Sequence, residues 1–248
     1  KKVKKILKNC YIESKILTWQ GSKSDKNIQS FARKIRHNLL FKECKKYKIR
    51  NILFGHHQDD LLENFFIRIL RGSGLKGLIS LNKKTEINNI NLLRPLLYQK
   101  KEDLTFISKK VFNFFVLDPT NDDEKYLRVR IRKLIMELKN NGLNKKKLIK
   151  TIKNLKDSNL VVNFYVNRNL EKNTHFSSKN KKLILNKDFF QQPHEIIFRA
   201  FSESINLIGK KYYPPRGKKL DRIIRDIKKK RLFRVTLGGC VIEKVNQT

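Results

Sequence analysis

The sequence is poor in acidic residues. Its 248 residues contain 22 Asp and Glu against 58 Lys and Arg, which gives a formal net charge of +36 at pH 7. A surface of this charge concentrates anions and favours contact with nucleic acid or an anionic membrane. The hydrophobic share of 39% and the aromatic share of 10% are too high for a solvated basic tail. The composition predicts a folded protein that binds a polyanion, with codon-driven drift toward Lys, Asn and Ile as the alternative explanation.

Cysteine is scarce as well, and long apolar runs are missing. Cys10, Cys44 and Cys240 are odd in number, far apart and free of any CxxC pair. This pattern excludes the usual zinc, iron–sulfur and dithiol redox motifs and predicts reduced thiols in the cytoplasm. No apolar run approaches the roughly 20 residues needed to cross a bilayer, so no membrane contact is expected. The opening KKVKKILKNC has neither an initiator methionine nor a signal peptide, and we expect the chain to begin within a longer protein.

Hydrophobic periodicity predicts alternating helices and strands in the first part of the chain. The predicted elements are helices over 1–9, 27–48, 59–71, 100–112 and 124–139, and strands over 11–19, 51–55 and 91–97. The strand over 11–19 is expected to carry Ile12, Ile16 and Leu17 into a core, and the strand over 51–55 is expected to be buried. Asn121 or Asp122 is the expected N-cap of the last helix. Alternation of this kind indicates an α/β fold with a doubly wound parallel sheet, in which ligands bind at the carboxyl ends of strands.

The best candidate for a domain boundary is NNGLN at 140–144. It predicts a first domain over 1–140 and a smaller, mainly helical domain over 141–248. The second domain is expected to contain helices over 145–170, after Pro193 and over 218–230, a short strand over 181–186, and a C-terminal β-hairpin over 232–245. Gly238 and Gly239 supply the turn of that hairpin.

The stretch GHHQDDLLEN, residues 55–64, follows a predicted strand and opens a helix. Asp59 is a natural helix cap, and an acid at Asp60 also suits the helix dipole. Asp60 and Glu63 are three residues apart, so they share one face of the helix. Two converging carboxylates in a basic chain form a receptor for an ammonium group or an oxygen site for a metal. The pattern alone leaves a binding site and helix capping equally open.

The neighbouring segments are ambiguous when each is taken alone. His57, like His56 before it, is a loop residue, an acid–base group or a ligand, and zinc is disfavoured because the two histidines are adjacent. Gly72 and Gly74 in RGSG offer backbone N–H groups to phosphate, or simply cap the helix. Arg128, in YLRVRIRK with Arg130 and Arg132, suits phosphate contacts, with a solvated basic face as the alternative.

Taken in order and spacing, four segments resemble the tRNA(Ile)-lysidine synthases, a family of the PP-loop ATP-pyrophosphatase group. They are NIQSFARKIRH, HHQDDLLENFFIRILRGSGLKGL, LLRPLL and LDPTNDDEKYLRVRIR. The resemblance is strong over residues 1 to about 140 and looser beyond. It implies an adenine nucleotide α hydrolase-like fold in the first domain and tRNA binding by the basic second domain.

The resemblance also implies a two-step ligation on the wobble cytidine of a CAU-anticodon tRNA(Ile). ATP, with Mg²⁺, activates the base carbonyl as an adenylate and releases pyrophosphate. The side-chain amine of L-lysine then attacks and releases AMP, so that the codon read changes from AUG to AUA. The implied partners are this tRNA and L-lysine, and the oligomeric state is open between a monomer and a homodimer.

Residue roles implied by the resemblance divide into two groups. Those matching the family's catalytic positions are Asp60, Glu63, Arg36 and Arg128. Those expected around substrate or nucleotide are His57, Asp59, Arg33, Arg71, Gly72 and Gly74. No protein residue is assigned to a metal.

Some family features are absent from these 248 residues. Gln29, His37 and Val129 stand where the family pattern has an acid, a tyrosine and an asparagine. The SGGxDS loop that cradles ATP is missing, so we expect a fragment that does not turn over alone. The alternatives are a PP-loop enzyme that thiolates tRNA, disfavoured by the lack of paired cysteines, and a catalytically inactive tRNA-binding protein.

Overall fold

The chain falls into two units, Lys1–Thr151 and Ile152–Thr248. The computed structural model describes residues 2–21, 28–87, 89–115, 123–177, 182–211, 215, 217–231 and 234–245. The elements of unit 1 are α1 (Lys2–Asn9), α2 (Ile28–Lys46), β1 (Asn51–Leu53), α3 (Gln58–Leu70), α4 (Leu75–Leu78), β2 (Lys84–Ile87), β3 (Ile90–Leu93), α5 (Lys101–Phe112) and α6 (Leu127–Asn140). Helix α7 (Lys145–Asn173) begins in unit 1 and continues into unit 2. The helices predicted over 27–48, 59–71 and 100–112 are confirmed to within two residues at each end.

The described sheet of unit 1 has three strands in the order β1-β3-β2. Strands β1 and β3 are parallel, with Asn51 opposite Asn91 and Leu53 opposite Leu93, whereas β2 and β3 form an antiparallel pair. The predicted parallel pairing is confirmed for β1 and β3, whereas the β2–β3 hairpin was not predicted. A doubly wound sheet requires further parallel strands, and that part stays a prediction.

Two predictions about strands in unit 1 are wrong. Residues 12–20 form no strand, and the side chains of Ile12 and Ile16 are exposed. A strand requires a neighbour for its backbone hydrogen bonds, and among the described residues none pairs with this segment. Strand β1 was expected to be buried, yet Leu53 is 70% exposed, because β1 pairs with β3 alone and forms an edge of the described sheet.

Helix α6 starts later than its sequence indicates. The expected N-cap residues, Asn121 and Asp122, lie outside the described residues, and the helix begins at Leu127 with Tyr126 at the N-cap position. Asp123 accepts a hydrogen bond from the backbone N–H of Lys125 at 3.0 Å, which favours a turn before the helix. Residues 124–126 therefore precede α6.

Unit 2 continues α7 and adds β4 (Thr174–Ser177), β5 (Lys182–Leu185), a 3₁₀ turn (Asp188–Gln191), α8 (His194–Gly209), α9 (Gly217–Lys228), β6 (Arg234–Leu237) and β7 (Cys240–Glu243). Strands β4–β5 and β6–β7 each form an antiparallel pair. The core of this unit is apolar and drawn from α7, the 3₁₀ turn, α8, α9 and β7; it includes Val166, Phe189, Ile197, Phe201, Leu220 and Ile224. In the part of the chain that the structure describes, no helix is both long and apolar enough to cross a membrane.

The turn between β6 and β7 has a strict requirement for glycine. Gly238 has a φ of +62°, and a Cβ atom there would lie 2.5 Å from Cγ2 of Ile205. We expect Gly238→Ala to lower the free energy of unfolding by about 2 kcal/mol or more, because left-handed backbone and overpacking both cost energy. Urea unfolding followed by circular dichroism measures the change. Gly74→Ala is the matched control, since nothing lies within 4 Å of its added Cβ, and equal destabilisation of the two variants would contradict the prediction.

Candidate functional site

The start of α3 is held by a reciprocal cap. The His57 Nδ1 atom accepts a hydrogen bond from the Asp59 backbone N–H at 3.3 Å, and the Asp60 carboxylate accepts one from the His57 N–H at 2.9 Å. The capping prediction for Asp59 is therefore wrong, because His57 occupies the N-cap position and Asp60 completes the capping box. Asp59 instead accepts a hydrogen bond from Lys145 Nζ at 2.9 Å.

Glu63 lies one turn further along α3 and is almost completely buried, with 1% of its surface exposed. Its Oε1 atom accepts a hydrogen bond of 2.6 Å from Nε of Arg132. Burial raises the pKa of Glu63, and the bond from Arg132 acts in the opposite direction. The other oxygen, Oε2, is buried and has no hydrogen-bond partner among the described residues. Its contact is an ion pair with Nη1 of Arg128 at 3.5 Å, so this oxygen is paired in charge but accepts no hydrogen bond from the described residues.

Arg128 connects the two acids. Its Nη1 atom lies 3.2 Å from Oδ1 of Asp60 and 3.5 Å from Oε2 of Glu63. Arg128 and Arg132 are four residues apart on α6, whereas the acids are three apart on α3, so each pair projects from one face of its helix. The facing surfaces of α3 and α6 thus form one acid–arginine network. The geometry confirms that Asp60 and Glu63 converge, with both acids engaged by arginine.

The network adjoins the carboxyl ends of β1 and β3. The Phe54 N–H continues the ladder by donating to the Leu93 carbonyl at 2.8 Å, and the Gln58 N–H donates to the Gln99 carbonyl at 3.0 Å. Burial lowers the pKa of His56; the nearby Asp60 acts in the opposite direction, and Arg94, Arg128 and Arg33 add to the lowering. His56 is therefore placed between the acid pair and a group of arginines.

Arg33 and Arg36 lie on the exposed side of α2. Burial lowers the pKa of His37, and Arg33, Arg36 and Arg94 lower it further. His37 in turn packs on Phe54, with ring centroids 5.7 Å apart. Arg33 thus lies near the strand end that carries the acid pair, because it also acts on His56 and Arg94, whereas Arg36 acts on its neighbour His37.

Arg71, Gly72 and Gly74 are separated from that strand end. They follow the last turn of α3, and 11 residues of helix put Arg71 about 16 Å along the axis from Asp60. Gly72 has a φ of +62°, and the Ser73 N–H donates to the Arg68 carbonyl at 3.0 Å, which closes the helix as a Schellman motif. The C-cap explanation is confirmed for this loop, and its nucleotide role stays a prediction.

Comparison with known proteins identifies the family of the first unit. Residues 1–139 match the model of the PP-loop domain, and this match covers more than half of the chain. The chain belongs to the PP-loop family. The PP-loop domain implies an adenine nucleotide α hydrolase-like fold and the use of ATP.

Curated relatives of this PP-loop chain share one name. The tRNA(Ile)-lysidine synthase of Wolbachia pipientis wMel is 32% identical across 95% of this chain and 55% of its own length. The Orientia tsutsugamushi protein of that name is 32% identical across 97% of the chain and 56% of its own length. The Mesoplasma florum protein is 31% identical, with coverages of 96% and 54%. The chain thus spans about half the length of the curated relatives it matches.

The described residues of the PP-loop chain offer no protein cage for a divalent metal. No group of three or more His, Cys, Asp or Glu side chains converges in them, and Asp60 and Glu63 both face Arg128. A cation set between these acids would have to displace a guanidinium. The side chain that lies beside both acids in this structure is Arg128.

The sequence of the PP-loop chain did not single out three residues of this site. Arg132 was visible only as part of a basic row, although its spacing of four from Arg128 puts the two arginines on one face of a helix. Lys145 carried no local signal, because its partner Asp59 is 86 residues away. Arg94 was assigned only to a strand, since the sequence does not show that this arginine is buried.

Proposed function

We propose that this chain is part of an enzyme that attaches lysine to the wobble cytidine of an isoleucine tRNA with a CAU anticodon. The observation that carries the proposal is the convergence of Asp60 and Glu63 at the carboxyl ends of two parallel strands. It is supported by the shared name of the relatives. In this proposal residues 1–140 supply catalysis on a doubly wound sheet, and residues 141–248 hold tRNA.

The proposed chemistry has two steps. ATP converts the cytosine carbonyl oxygen into an adenylate, with loss of pyrophosphate. The ε-amine of L-lysine then forms a bond to the carbon of that carbonyl group, and the bond from this carbon to the oxygen breaks, so that AMP leaves with the carbonyl oxygen. Mg²⁺ accompanies the ATP phosphates in this proposal, because the acids of the site face arginine.

The acid pair acts on lysine in the second step. An ammonium group has to lose a proton before it attacks, and a carboxylate with a raised pKa is a suitable acceptor. Glu63 meets that description, and Asp60 fixes the direction of approach. The substrate amine takes the position of the Arg128 guanidinium beside both acids, which frees Arg128 to contact the adenylate phosphate.

The experiment uses the complete polypeptide encoded by the gene, with ATP, labelled lysine and tRNA carrying a CAU anticodon. We expect label on the tRNA and AMP release that depends on lysine. A tRNA with a GAU anticodon is the matched control and should accept no label. Release of AMP without lysine would contradict the proposal, and so would equal labelling of both tRNAs.

The thiolation alternative is disfavoured by the cysteines. Sulfur transfer uses a thiolate, yet Cys44 and Cys240 are buried, and burial raises the pKa of each thiol. Cys10 is exposed but lies far from both others in sequence. Incorporation of labelled sulfur in place of lysine would favour thiolation, and tRNA binding with no ATP consumption would favour an inactive binder.

Binding of tRNA should depend steeply on salt. Exposed lysines and arginines on α7 include Lys150, Lys153, Arg168 and Lys172, within a chain of net charge +36. We expect log K to fall against log salt with a slope steeper than about −4, which corresponds to five or more phosphate contacts. The slope is measured by filter binding of the complete polypeptide to tRNA between about 50 and 300 mM salt, a range over which the screening of charges changes strongly. A slope shallower than about −1 would mean that the charge lies mostly outside the interface.

A further inference from the structure

Arg94 is a buried cation that forms no ion pair with any described residue. It follows β3 directly, and 4% of its surface is exposed. Its Nη1 atom donates to the Asn82 carbonyl at 2.8 Å and to Oγ1 of Thr85 at 3.0 Å, both neutral acceptors. Its Nε atom is buried and has no hydrogen-bond partner in the described part of the chain. No carboxylate among those residues forms an ion pair with it.

The other buried arginine shows what is missing at Arg94. Arg199 in unit 2 is 3% exposed, and its guanidinium lies 2.7 Å from the Glu195 carboxylate and 2.6 Å from Oδ1 of Asn159. A buried charge is normally compensated in this way, because removal from water is costly. Arg94 has hydrogen bonds, but no carboxylate in the described ranges is paired with it. An uncompensated buried guanidinium indicates that an anion completes the site.

The charge that acts on Arg94 is positive and comes from the nearby Arg33. Three groups lie around the Phe54 ring: the Arg94 Cζ atom at 6.0 Å from its centroid, and the rings of His37 at 5.7 Å and His56 at 5.6 Å. His56 and Arg94 follow the carboxyl ends of β1 and β3, and His37 contacts the Phe54 ring from α2. The rings of Phe54, His37 and His56 are partly exposed, so the cluster borders solvent. Burial and the nearby Arg33 lower the pKa of Arg94.

We propose that Arg94, with Phe54, His37 and His56 around it, binds a phosphate group at the carboxyl ends of β1 and β3, separate from the lysine-binding acids. Phosphate fits better than carboxylate because Arg33 adds a second positive charge near Arg94, and a terminal phosphate or a pyrophosphate carries more than one negative charge. The guanidinium fork matches two phosphate oxygens. The inference rests on the proposed function, in which ATP, pyrophosphate and tRNA all supply such groups.

Pyrophosphate is the probe, and the complete polypeptide is titrated with it by calorimetry without lysine or tRNA. We expect Arg94→Gln to weaken pyrophosphate binding about tenfold or more, because a charge-assisted hydrogen bond is lost. Arg94→Lys should weaken it less. The matched control is Arg50→Gln, which removes the same charge at the amino end of β1 and should change affinity less than about twofold. Equal affinity of wild type and Arg94→Gln would overturn the proposal.

A second measurement needs no variant at Arg94 and so does not depend on its folding. The groups that act on the His56 ring are Asp60, Arg94, Arg128 and Arg33. A phosphate beside Arg94 adds negative charge near that ring, so saturating pyrophosphate should raise the pKa of His56, measured by NMR. An unchanged titration of His56 would overturn the proposal.

Competition identifies the source of the phosphate. Displacement of pyrophosphate by ATP supports a nucleotide phosphate, and displacement by tRNA without ATP supports the RNA backbone. Displacement by lysine alone would overturn the proposal in favour of a carboxylate site. These titrations need no turnover. If the wild-type polypeptide bound pyrophosphate but transferred no lysine, the proposed function would be rejected and the phosphate site would still be supported.

Discussion

Glu63→Gln is expected to lower lysine transfer by at least about 100-fold, the lower end of what a general base contributes. The substitution keeps the size of the side chain and a carbonyl acceptor for Arg132, but removes the group that takes the proton from the attacking amine. The measurement is the initial rate of labelled lysine transfer by the complete polypeptide at saturating ATP and tRNA. Asp60→Asn should also reduce the rate, with a larger effect on the KM for lysine.

The matched control is Glu137→Gln, the same chemical change at an exposed glutamate of α6. Its rate should stay within about twofold of wild type, since surface substitutions away from special features have small effects. Equal rates for Glu63→Gln and wild type would remove Glu63 from the site. Equal losses in Glu63→Gln and Glu137→Gln would point to a general effect of charge on tRNA binding.

Glu63→Gln should raise the free energy of unfolding, although it lowers the rate of lysine transfer. The pKa of Glu63 is raised above its ordinary value of 4.5, so the folded state holds this proton more tightly than the unfolded chain. Ionisation of Glu63 therefore reduces stability as pH rises from 4.5 to the folded pKa, and the loss remains above it. Glu63→Gln lacks this loss. Its free energy of unfolding relative to wild type should increase across that window, as measured by urea unfolding at several pH values.

The largest effect on stability is expected from Phe189→Ala. Phe189 is fully buried in the core of unit 2, and its ring lies 5.0 Å from that of Phe190 and 6.5 Å from that of Phe201. Its carbonyl also accepts a hydrogen bond from Asn169 at 3.3 Å. Loss of the ring should lower the free energy of unfolding by about 3–5 kcal/mol, because the apolar contacts are lost and a cavity remains.

Phe164→Ala provides the control within the same unit. Its ring on α7 is 61% exposed, so its removal should change the free energy of unfolding by less than about 0.5 kcal/mol. Near-ultraviolet circular dichroism in urea follows the aromatic core of each variant. The core assignment would be refuted by equal urea midpoints for the two variants.

Local patterns predicted the helices of unit 1 well and its strands less well. The limits of α2 and α3 follow from apolar spacing and flanking turn residues, which are properties of the segment itself. A strand depends on the neighbour with which it pairs, and this information is not local. Residues 11–19 alternate as a strand should, yet no described strand pairs with them. Leu53 was expected to be buried for the same reason.

Residue spacing in the sequence predicted only one part of the site, the pairing of its two acids. The interval of three residues between Asp60 and Glu63 placed both acids on one face of a helix, and the structure bears this out. The arginine partners of these acids could not be predicted from local sequence. Arg128 and Arg132 lie 65 or more residues further along the chain and contact the acids only because α3 packs on α6. The buried state of Arg94 depends on the β2–β3 hairpin, which no local pattern in the sequence indicated.

The cap of α3 also determines a tautomer. The Nδ1 atom of His57 accepts the Asp59 N–H, so a neutral ring carries its hydrogen on Nε2, the atom that lies 3.5 Å from the Asp60 carboxylate. In that form the Nε2–H group lies near the Asp60 carboxylate, and the lone pair of Nδ1 already accepts the Asp59 N–H. The Nδ1 lone pair is therefore not free for a ligand while this cap is intact. Of the side chains in the acid–arginine network, the carboxylates of Asp60 and Glu63 are the acceptors.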